Sequence, residues 1–297
     1  MNSSEKYWIC KNEKVPKKSR DILNEYLLSL KTENKTEATV DKYRRVLESF
    51  LQVITISLNE LTPESVRTWL DEFSIGKKPT TVDLILSVLS SFFQFCLDEE
   101  YIEIVVMKKR WRPKIPKALP KFLDAFEYAR VKQFTEQLPI RDRALILLLF
   151  STGCRVTEVS NLNIEDIDLT KRTANVLGKG KKFRSTFFSE ECSLALREHL
   201  ETRSLNSTEP LFENKFGNRL QDGGIRKVLQ KVGWKSGLKQ SFHPHCCRHT
   251  FATNMLARGA ELELIADILG HVNLNTTRIY AQIPTEDMML KYQNIMG

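Results

Sequence analysis

Apolar residues recur every three or four positions over four stretches of the first hundred residues, which is the spacing of one face of an α-helix. The stretches are Ile22/Tyr26/Leu27/Leu30, Val40/Tyr43/Leu47/Phe50/Ile54, Val66/Trp69/Leu70/Phe73 and Val82/Ile85/Leu86/Leu89/Phe93/Cys96. Thr36 precedes the second stretch as an N-cap, and Thr62-Pro63 opens the third with a cap and a first-turn proline. The pattern predicts a helical domain over residues 18–105, preceded by a mobile arm of residues 1–17 that has no periodicity.

A second domain is expected over residues 122–284, where helical patterns surround a single β-hairpin. Helices are predicted over residues 125–137, 141–150, 190–202 and 224–234. The hairpin strands are Thr173–Leu177 and Phe183–Phe188, joined by the turn 178–182. The fold class that follows is mainly α, with a small β-sheet or hairpin in the second domain.

The pattern near the C-terminus predicts three further helices in this domain. Pro244 begins the first, and Leu262, Ile265, Ile268 and Leu269 form the second, which Gly270 ends. Asn275 is expected to cap a third, short helix that carries Tyr280 and ends before Pro284.

Residues 285–297 are predicted to form a short amphipathic tail helix. Its apolar stripe consists of Met288, Met289, Tyr292, Ile295 and Met296. A helix this short is not stable alone in water, so its apolar stripe needs a groove. The groove could belong to its own domain or to another protein chain.

The charge balance changes this picture by indicating a polyanionic partner. The chain of 297 residues has 45 Lys and Arg against 37 Asp and Glu, a net charge of +8, which favours nucleic acid. The linker predicted over residues 106–121 contains KKRWRPKIPKALPK, with seven cations, three prolines and no acid. It is either a plain spacer or, as its charge favours, a segment that lies along a phosphate backbone.

The sequence predicts no membrane-spanning segment. The N-terminus has no apolar signal core, and the longest apolar run, Ala144–Phe150, is far too short to span a bilayer. We therefore expect a cytoplasmic, nucleoid-associated protein that has no membrane partner. Its six cysteines lack CxxC spacing and are expected to be free thiols.

Candidate chemistry is concentrated between residues 243 and 280. Four of the five histidines lie there, interleaved with Arg248, which suggests an anion site. His245 and Arg248 are three positions apart and would share a helix face, and His271 would sit at a turn. Each residue taken alone could simply be a surface polar group.

Two residues outside this stretch also suit an anion. Arg155 lies at a predicted helix junction, where it could meet an anion or pair with Glu158 three residues on. The glycines that flank Lys179 in the hairpin turn let its ammonium project freely.

Two rival interpretations of these motifs are disfavoured. A zinc site at residues 245–249 would require adjacent helical side chains to converge on one ion, although they diverge by about 100°. The hairpin turn lacks the GxxxxGK[ST] pattern and a following helix, so it does not predict a nucleotide site. No metal and no cofactor are expected.

Four segments of the sequence resemble the motifs of the tyrosine recombinases, the phage-integrase superfamily. They are TGCRVTEVSNL, LGKGKKFR, HPHCCRHTFATNML and LGHVNLNTTRIY. The resemblance covers roughly residues 18–297 and is greatest to the Xer recombinases. Departures are small, namely cysteines at 246 and 247 and Val272-Asn273 after His271. It implies a clamp of two domains, a helical SAM-like core-binding domain and a catalytic domain, around double-stranded DNA. It also implies a tetramer, of one chain or with a related recombinase, in which the C-terminal tail docks on a neighbouring protomer.

The resemblance carries the catalytic set onto Arg155, Lys179, His245, Arg248, His271 and Tyr280, with Glu158 in support. The chemistry suits these residue types, because a tyrosine ester conserves bond energy for rejoining and paired guanidiniums stabilise charge on a phosphate. Lys179 would protonate the leaving 5′-hydroxyl, His245 would accept or relay the proton of Tyr280, and His271 would hydrogen-bond the phosphate. DNA contacts are expected from Arg44, Arg45, Lys108, Lys109, Arg110 and Arg112.

Two other functions remain open from the sequence. The same chemistry without strand exchange would make a type IB topoisomerase-like relaxing enzyme, and the same scaffold without catalysis would be a DNA-binding protein.

Overall fold

The computed structural model describes residues 7–54, 56–116, 120–178, 183–203, 208–271 and 273–282. The chain forms two compact units that divide between residues 117 and 118. The described part is mainly helical with one small antiparallel sheet, so the predicted fold class is confirmed.

The first unit has a helix at each of the four predicted stretches. They are α1 (Lys17–Thr32), α2 (Glu37–Leu51), α3 (Pro63–Ser74) and α4 (Pro79–Asp98). The predicted caps form, because the Thr36 and Thr62 hydroxyls accept hydrogen bonds from the backbone N–H groups of Thr39 and Ser65.

Large aromatic side chains fill the core of the first unit. Trp69 meets Phe50 edge-on at 5.0 Å between ring centroids and stacks on Phe73 at 4.6 Å. Helix α4 is long and apolar enough to cross a membrane by length and composition alone. In this unit its Leu86, Leu89 and other apolar residues are buried against the other helices.

Both ends of the first unit pack more closely than the sequence predicted. In the N-terminal arm, Cys10 and Val15 are buried, and the Cys10 N–H donates to Asn24 Oδ1 at 2.7 Å. Isolated apolar residues thus attach residues 7–16 to the first unit without showing any periodicity, and the mobility of the arm stays a prediction.

The described part of the predicted linker also begins within the packed unit. Val106 is buried, and the Arg112 guanidinium donates to Asp83 Oδ1 at 2.7 Å and to Ser87 Oγ at 3.0 Å. Between them, Lys109–Trp111 forms a 3₁₀ turn that exposes Lys109 and Arg110.

The second unit surrounds a helix that is buried on all sides. Its helices are α5 (Ala125–Thr135), α6 (Ile140–Thr152), α7 (Val156–Asn161), α8 (Glu190–Glu201), α9 (Asp222–Lys235), α10 (Pro244–Ala257) and α11 (Leu262–Leu269). Every residue of α6 from Ala144 to Phe150 is buried, which explains the continuous apolar run in the sequence.

The sheet has three antiparallel strands in the order β1-β2-β3. They are β1 (Ile167–Asp168), β2 (Thr173–Leu177) and β3 (Phe183–Phe187), with Thr173 opposite Phe187 and Leu177 opposite Phe183. The hairpin strands match the prediction, whereas β1 is too short to produce an alternating pattern.

The segment that carries Tyr280 differs from the expected short helix. It forms two 3₁₀ turns, Leu274–Thr276 and Tyr280–Gln282, and the cap is Asn273 rather than Asn275. Ile279 and Tyr280 pack against a cluster that includes Phe251 and Ile265, and this contact holds a segment too short for an α-helix. The predicted tail, residues 285–297, lies outside the described residues.

Candidate active site

Two helix C-termini meet at the centre of the site. Helix α6 ends at Gly153 and α11 ends at Gly270, with φ values of +59° and +64°. A Cβ at Gly153 would lie 2.6 Å from Phe251 and 2.7 Å from Leu269, so only glycine fits this close approach. The last carbonyls of both helices have no partner within their own helix and carry partial negative charge.

Arg248 of α10 connects these two helix ends. Its Nη1 donates to the Gly153 carbonyl and its Nη2 to the Leu269 carbonyl, both at 2.8 Å. The side chain is only 4% exposed. Burial, and then the neighbouring charge of Arg155, lower the pKa of Arg248 to about 10. It is therefore still a cation at neutral pH.

Arg155 occupies the N-cap of α7 and lies beside the C-terminus of α11. Its Nη1 donates to Glu158 Oε1 at 2.7 Å, its backbone N–H to Glu158 Oε2 at 2.8 Å, and its Nη2 to the Gly270 carbonyl at 3.4 Å. The ion pair with Glu158 that the spacing suggested is thus present, and it holds Arg155 next to Arg248.

Arg184 of β3 is a part of the site that the sequence prediction missed. Its Nη1 and Nη2 each donate to a Glu158 oxygen at 2.9 Å, and its Nε donates to the Ile268 carbonyl at 3.1 Å. The available signal in the sequence was a cation within the predicted strand Phe183–Phe188. The structure shows that Arg184 is half-buried between exposed neighbours, Phe183 and Ser185.

Glu158 is the acid that these two arginines share. Glu158 is 3% exposed, and burial alone would raise the pKa of its carboxyl group. The hydrogen bonds from Arg184 and Arg155 outweigh burial and lower the pKa, so Glu158 is a buried carboxylate with a balancing charge on each side.

Tyr280 is buried, and its hydroxyl contacts His249, a histidine that was not among the predicted site residues. The Tyr280 Oη is 2.8 Å from His249 Nδ1, and the residue is 2% exposed. Burial raises the pKa of Tyr280, which the nearby Arg248 charge partly offsets. In this state the hydroxyl is protonated at neutral pH and is shielded from solvent.

The two predicted site histidines have different surroundings. His271, at the C-terminus of α11, places Nδ1 2.8 Å from Thr277 Oγ1. Burial, and then the charges of Arg248 and Arg155, lower its pKa to about 4, so its imidazole is neutral. His245 is exposed on the first turn of α10, and its ring centroid is 6.5 Å from that of His249.

The structure therefore brings Arg155, Arg248, His271 and Tyr280 to one location around two helix ends, with Glu158 beneath the arginines. Lys179 lies outside the described residues. Cys246 and Cys247 are buried in the hydrophobic core while His245 faces solvent, so these neighbours cannot share a zinc ion. No cluster of three potential metal ligands occurs among the residues that the structure describes.

Four of the six cations predicted to contact DNA from the first unit, Arg44, Arg45, Lys108 and Arg112, already pair with acids. Arg44 pairs with Asp41 and Glu48, and Arg45 pairs with Asp41 at 2.8 Å. The Lys108 ammonium is 3.9 Å from Glu64. A phosphate would compete with these acids for Arg44, Arg45 and Lys108.

A second group of cations, missed in the sequence, lies on the exposed side of α9. The group consists of Arg226, Lys227, Lys231 and Lys235. Trp234 stands among them and is 78% exposed. The charge of Arg226 contributes to lowering the pKa of both His243 and His245, so this face begins beside the site. The helical spacing of its lysines was the signal that could have found it.

Two family models match the chain. The phage integrase family matches residues 121–286, and the N-terminal SAM-like domain of phage integrases matches residues 23–100. Among curated proteins, the chain is 35% identical to tyrosine recombinase XerC of Thermodesulfovibrio yellowstonii over 267 residues, which is 86% of this chain and 88% of that protein. It is 34% identical to tyrosine recombinase XerC of Bacillus subtilis, over 83% of this chain and 85% of that protein.

Solved structures of similar fold include two recombinases. The crystal structure of XerA recombinase is 28% identical with a TM-score of 0.55, covering 92% of this chain and 99% of that one. XerH recombinase bound to its palindromic difH substrate is 22% identical with a TM-score of 0.76, covering 96% of this chain and 90% of that one. The XerH likeness concerns the fold alone.

Proposed function

The chain belongs to the phage integrase family, and on this basis we propose that Tyr280 is the nucleophile with which it breaks and rejoins DNA. It is a tyrosine recombinase, and its activity is site-specific DNA recombination. The XerC relatives favour this activity over relaxation alone and over DNA binding without catalysis. The observation that carries the residue assignment is the pair of guanidiniums of Arg155 and Arg248, held by the carbonyls of two helix ends beside His271 and Tyr280.

The arginines bind the scissile phosphate and stabilise the charge that develops on its nonbridging oxygens. Each guanidinium has more N–H donors than its present partners occupy, so both have donors left for a phosphate. Their planar forks suit two oxygens of one phosphate better than ammonium groups would. Glu158 and Arg184 support this role by fixing the orientation of Arg155.

The phosphoryl transfer then needs one proton removed and one supplied. The Tyr280 oxygen attacks phosphorus, a 3′-phosphotyrosine bond forms, and the 5′-oxygen leaves with a proton from Lys179. His245 accepts or relays the Tyr280 proton, and the neutral imidazole of His271 hydrogen-bonds the phosphate. The ester conserves the bond energy, so rejoining requires neither ATP nor a metal cofactor.

Tyr280 must be uncovered before it can attack. Its low exposure means that a phosphate cannot reach its oxygen from solvent in this conformation. We infer that DNA binding displaces the groups that cover Tyr280 and leaves its hydrogen bond to His249 in place.

Double-stranded DNA is the proposed substrate. The contacts predicted from the first unit are Arg44, Arg45, Lys108, Lys109, Arg110 and Arg112, and the exposed cations of α9 add a surface beside the site in the second unit. A protein that carries out this reaction acts where chromosomal or mobile-element DNA is located, so we propose a cytoplasmic, nucleoid-associated location.

Alanine at Lys108, Lys109 and Arg110 is expected to weaken DNA binding uniformly across sequences. The plot of log affinity against log salt should become shallower by up to about 0.9 for each phosphate contact that is lost. Alanine at Lys14 and Lys35, two cations of the same unit outside the segment, serves as the control and should alter the slope less. An unchanged slope in the triple variant would make the segment a plain spacer.

We propose that the working form is a tetramer on two paired sites, of one chain or with a related recombinase. The support is the amphipathic tail predicted from residues 285–297, whose methionine-rich stripe suits a surface that binds and releases. Docking of this tail on a neighbouring protomer would link the active sites.

Recombination of a recovered target site tests the activity and the tail together. DNA that becomes covalently attached to the protein would be sequenced, and two copies of that site would be placed on one plasmid. The full chain should recombine the two copies, whereas a chain truncated after Pro284 should bind a single site and fail to pair or recombine them. Relaxation without recombination by the full chain would contradict the activity. Wild-type recombination by the truncated chain would contradict the role of the tail.

A further inference from the structure

The hydroxyl of Tyr280 has a protein partner that the proposed mechanism does not use. His249 Nδ1 lies 2.8 Å from Tyr280 Oη, and the two ring centroids are 5.6 Å apart. His245, the residue to which the family resemblance assigned the proton, is a turn away on the same face of α10 and is exposed. Its ring is 6.5 Å from that of His249, centroid to centroid.

We propose that His249 is a catalytic residue that accepts the proton of Tyr280 directly, and that His245 passes this proton on toward solvent. The inference rests on the proposed role of Tyr280 as the nucleophile. It assigns the first proton transfer to the only group within hydrogen-bond distance of the nucleophilic oxygen among the contacts that the structure describes.

The protonation state of His249 is compatible with this role. Burial, and then the nearby charges of His245 and Arg248, lower the pKa of His249 to about 4, so the imidazole is neutral at neutral pH. A neutral imidazole accepts at one nitrogen while the other carries the proton, and Nδ1 faces the hydroxyl.

Burial and these charges make His249 a weak base. A phosphodiester bound by Arg248 and Arg155 brings a negative charge that opposes the effect of Arg248 on the imidazole. His249 therefore becomes a stronger base when the substrate is in place. Without substrate, Tyr280 stays protonated.

The proton balance of the step closes on residues already named. The Tyr280 O–H bond breaks as the O–P bond forms, and the proton moves to His249 Nδ1. The P–O5′ bond breaks, its electron pair stays on the 5′-oxygen, and that oxygen takes a proton from Lys179. His249 returns its proton to Tyr280 in the rejoining step, either directly or by way of His245.

Two substitutions at His249 distinguish proton acceptance from mere positioning. His249→Asn places an amide oxygen near the position of Nδ1 and keeps a hydrogen-bond acceptor that cannot take a proton. His249→Leu removes both properties. Cleavage of a nicked duplex that carries the recovered site should be slowed by about 10²–10⁴ in both variants, the range for general base catalysis.

The control for the α10 N-terminus is His243→Asn. His243 caps the helix by accepting the Cys246 N–H at Nδ1, 3.1 Å away, and asparagine is a strong N-cap. This variant should cleave at close to the wild-type rate, and thermal unfolding of all the variants would show whether any has lost its fold.

Replacing Tyr280 by a polyfluorinated tyrosine that ionises near neutral pH provides the decisive comparison. A nucleophile that is already ionised needs no base, so the loss in both His249 variants should shrink to less than about tenfold. A wild-type rate in His249→Asn would overturn the proposal and leave a positioning role. If the reduction in cleavage rate of the His249 variants stayed as large with the acidic tyrosine, the proposal would be overturned as well. The defect in cleavage would then have a cause other than removal of the Tyr280 proton.

A measurement without DNA separates this inference from the proposed function. With 3-fluorotyrosine at position 280, the fluorine resonance reports the environment and the pKa of the hydroxyl. His249→Leu should shift this resonance, and an unchanged resonance would show that the contact does not exist in solution. Failure of Tyr280 as the nucleophile would instead appear as covalent adduct formation by Tyr280→Phe.

Discussion

Tyr280→Phe is expected to bind DNA as tightly as the wild-type chain and to form no covalent adduct. The substitution removes the oxygen that attacks phosphorus. The phenylalanine ring fills the same buried space, so the site should keep its shape. The hydrogen bond to His249 is lost, at a cost of about 1–3 kcal/mol if the imidazole nitrogen is left without a partner.

The adduct is measured with a nicked suicide duplex, from which the cleaved fragment diffuses and prevents rejoining. Trapped protein then migrates with the DNA on a denaturing gel. Tyr128→Phe is the matched control, since Tyr128 is a partly buried tyrosine of the same unit that faces the core. It should form adduct normally. Adduct from Tyr280→Phe at the wild-type yield would remove Tyr280 from the role of nucleophile.

A substrate with sulfur at the 5′-bridging position is expected to rescue Lys179→Ala far more than Arg155→Ala. The thiolate leaves without needing a proton, so a missing proton donor no longer matters. A missing guanidinium still matters, because the charge on the nonbridging oxygens still develops. With the natural substrate, Lys179→Ala should lose about 10²–10⁴ in rate and Arg155→Ala about 10²–10³.

The structure makes Arg155 a better choice than Arg248 for this comparison. Without Arg155, Glu158 keeps both hydrogen bonds from Arg184, so the buried carboxylate still has a partner. Without Arg248, the carbonyls of Gly153 and Leu269 lose their donors and the buried site gains a cavity. Cleavage rates on both substrates, measured in single turnovers, give the rescue factor for each variant. Equal rescue of Lys179→Ala and Arg155→Ala would contradict the separate roles.

Local patterns in the sequence were sufficient for most of the secondary structure. The helical period located α1 to α4 and α11, and the β-rich runs located the two hairpin strands, because burial of one face imposes those periods. Caps at Thr36, Thr62 and Gly270 are local chemistry and were also predicted correctly. The packing of residues 7–16 and the 3₁₀ turns around Tyr280 were not, because neither segment has a repeating pattern.

By itself the sequence determined the fold class, the family and the set of residue types that the reaction needs, since periodicity and motifs depend on near neighbours in the chain. Only the tertiary structure decided which groups those residues touch. Arg248 is bound to a carbonyl 95 residues away, Arg155 to one 115 residues away and Arg184 to one 84 residues away. His249 reaches Tyr280 across 31 residues. A buried charge or hydroxyl must find a partner, but which partner it finds depends on how distant helix ends pack, and no local pattern in the chain records that.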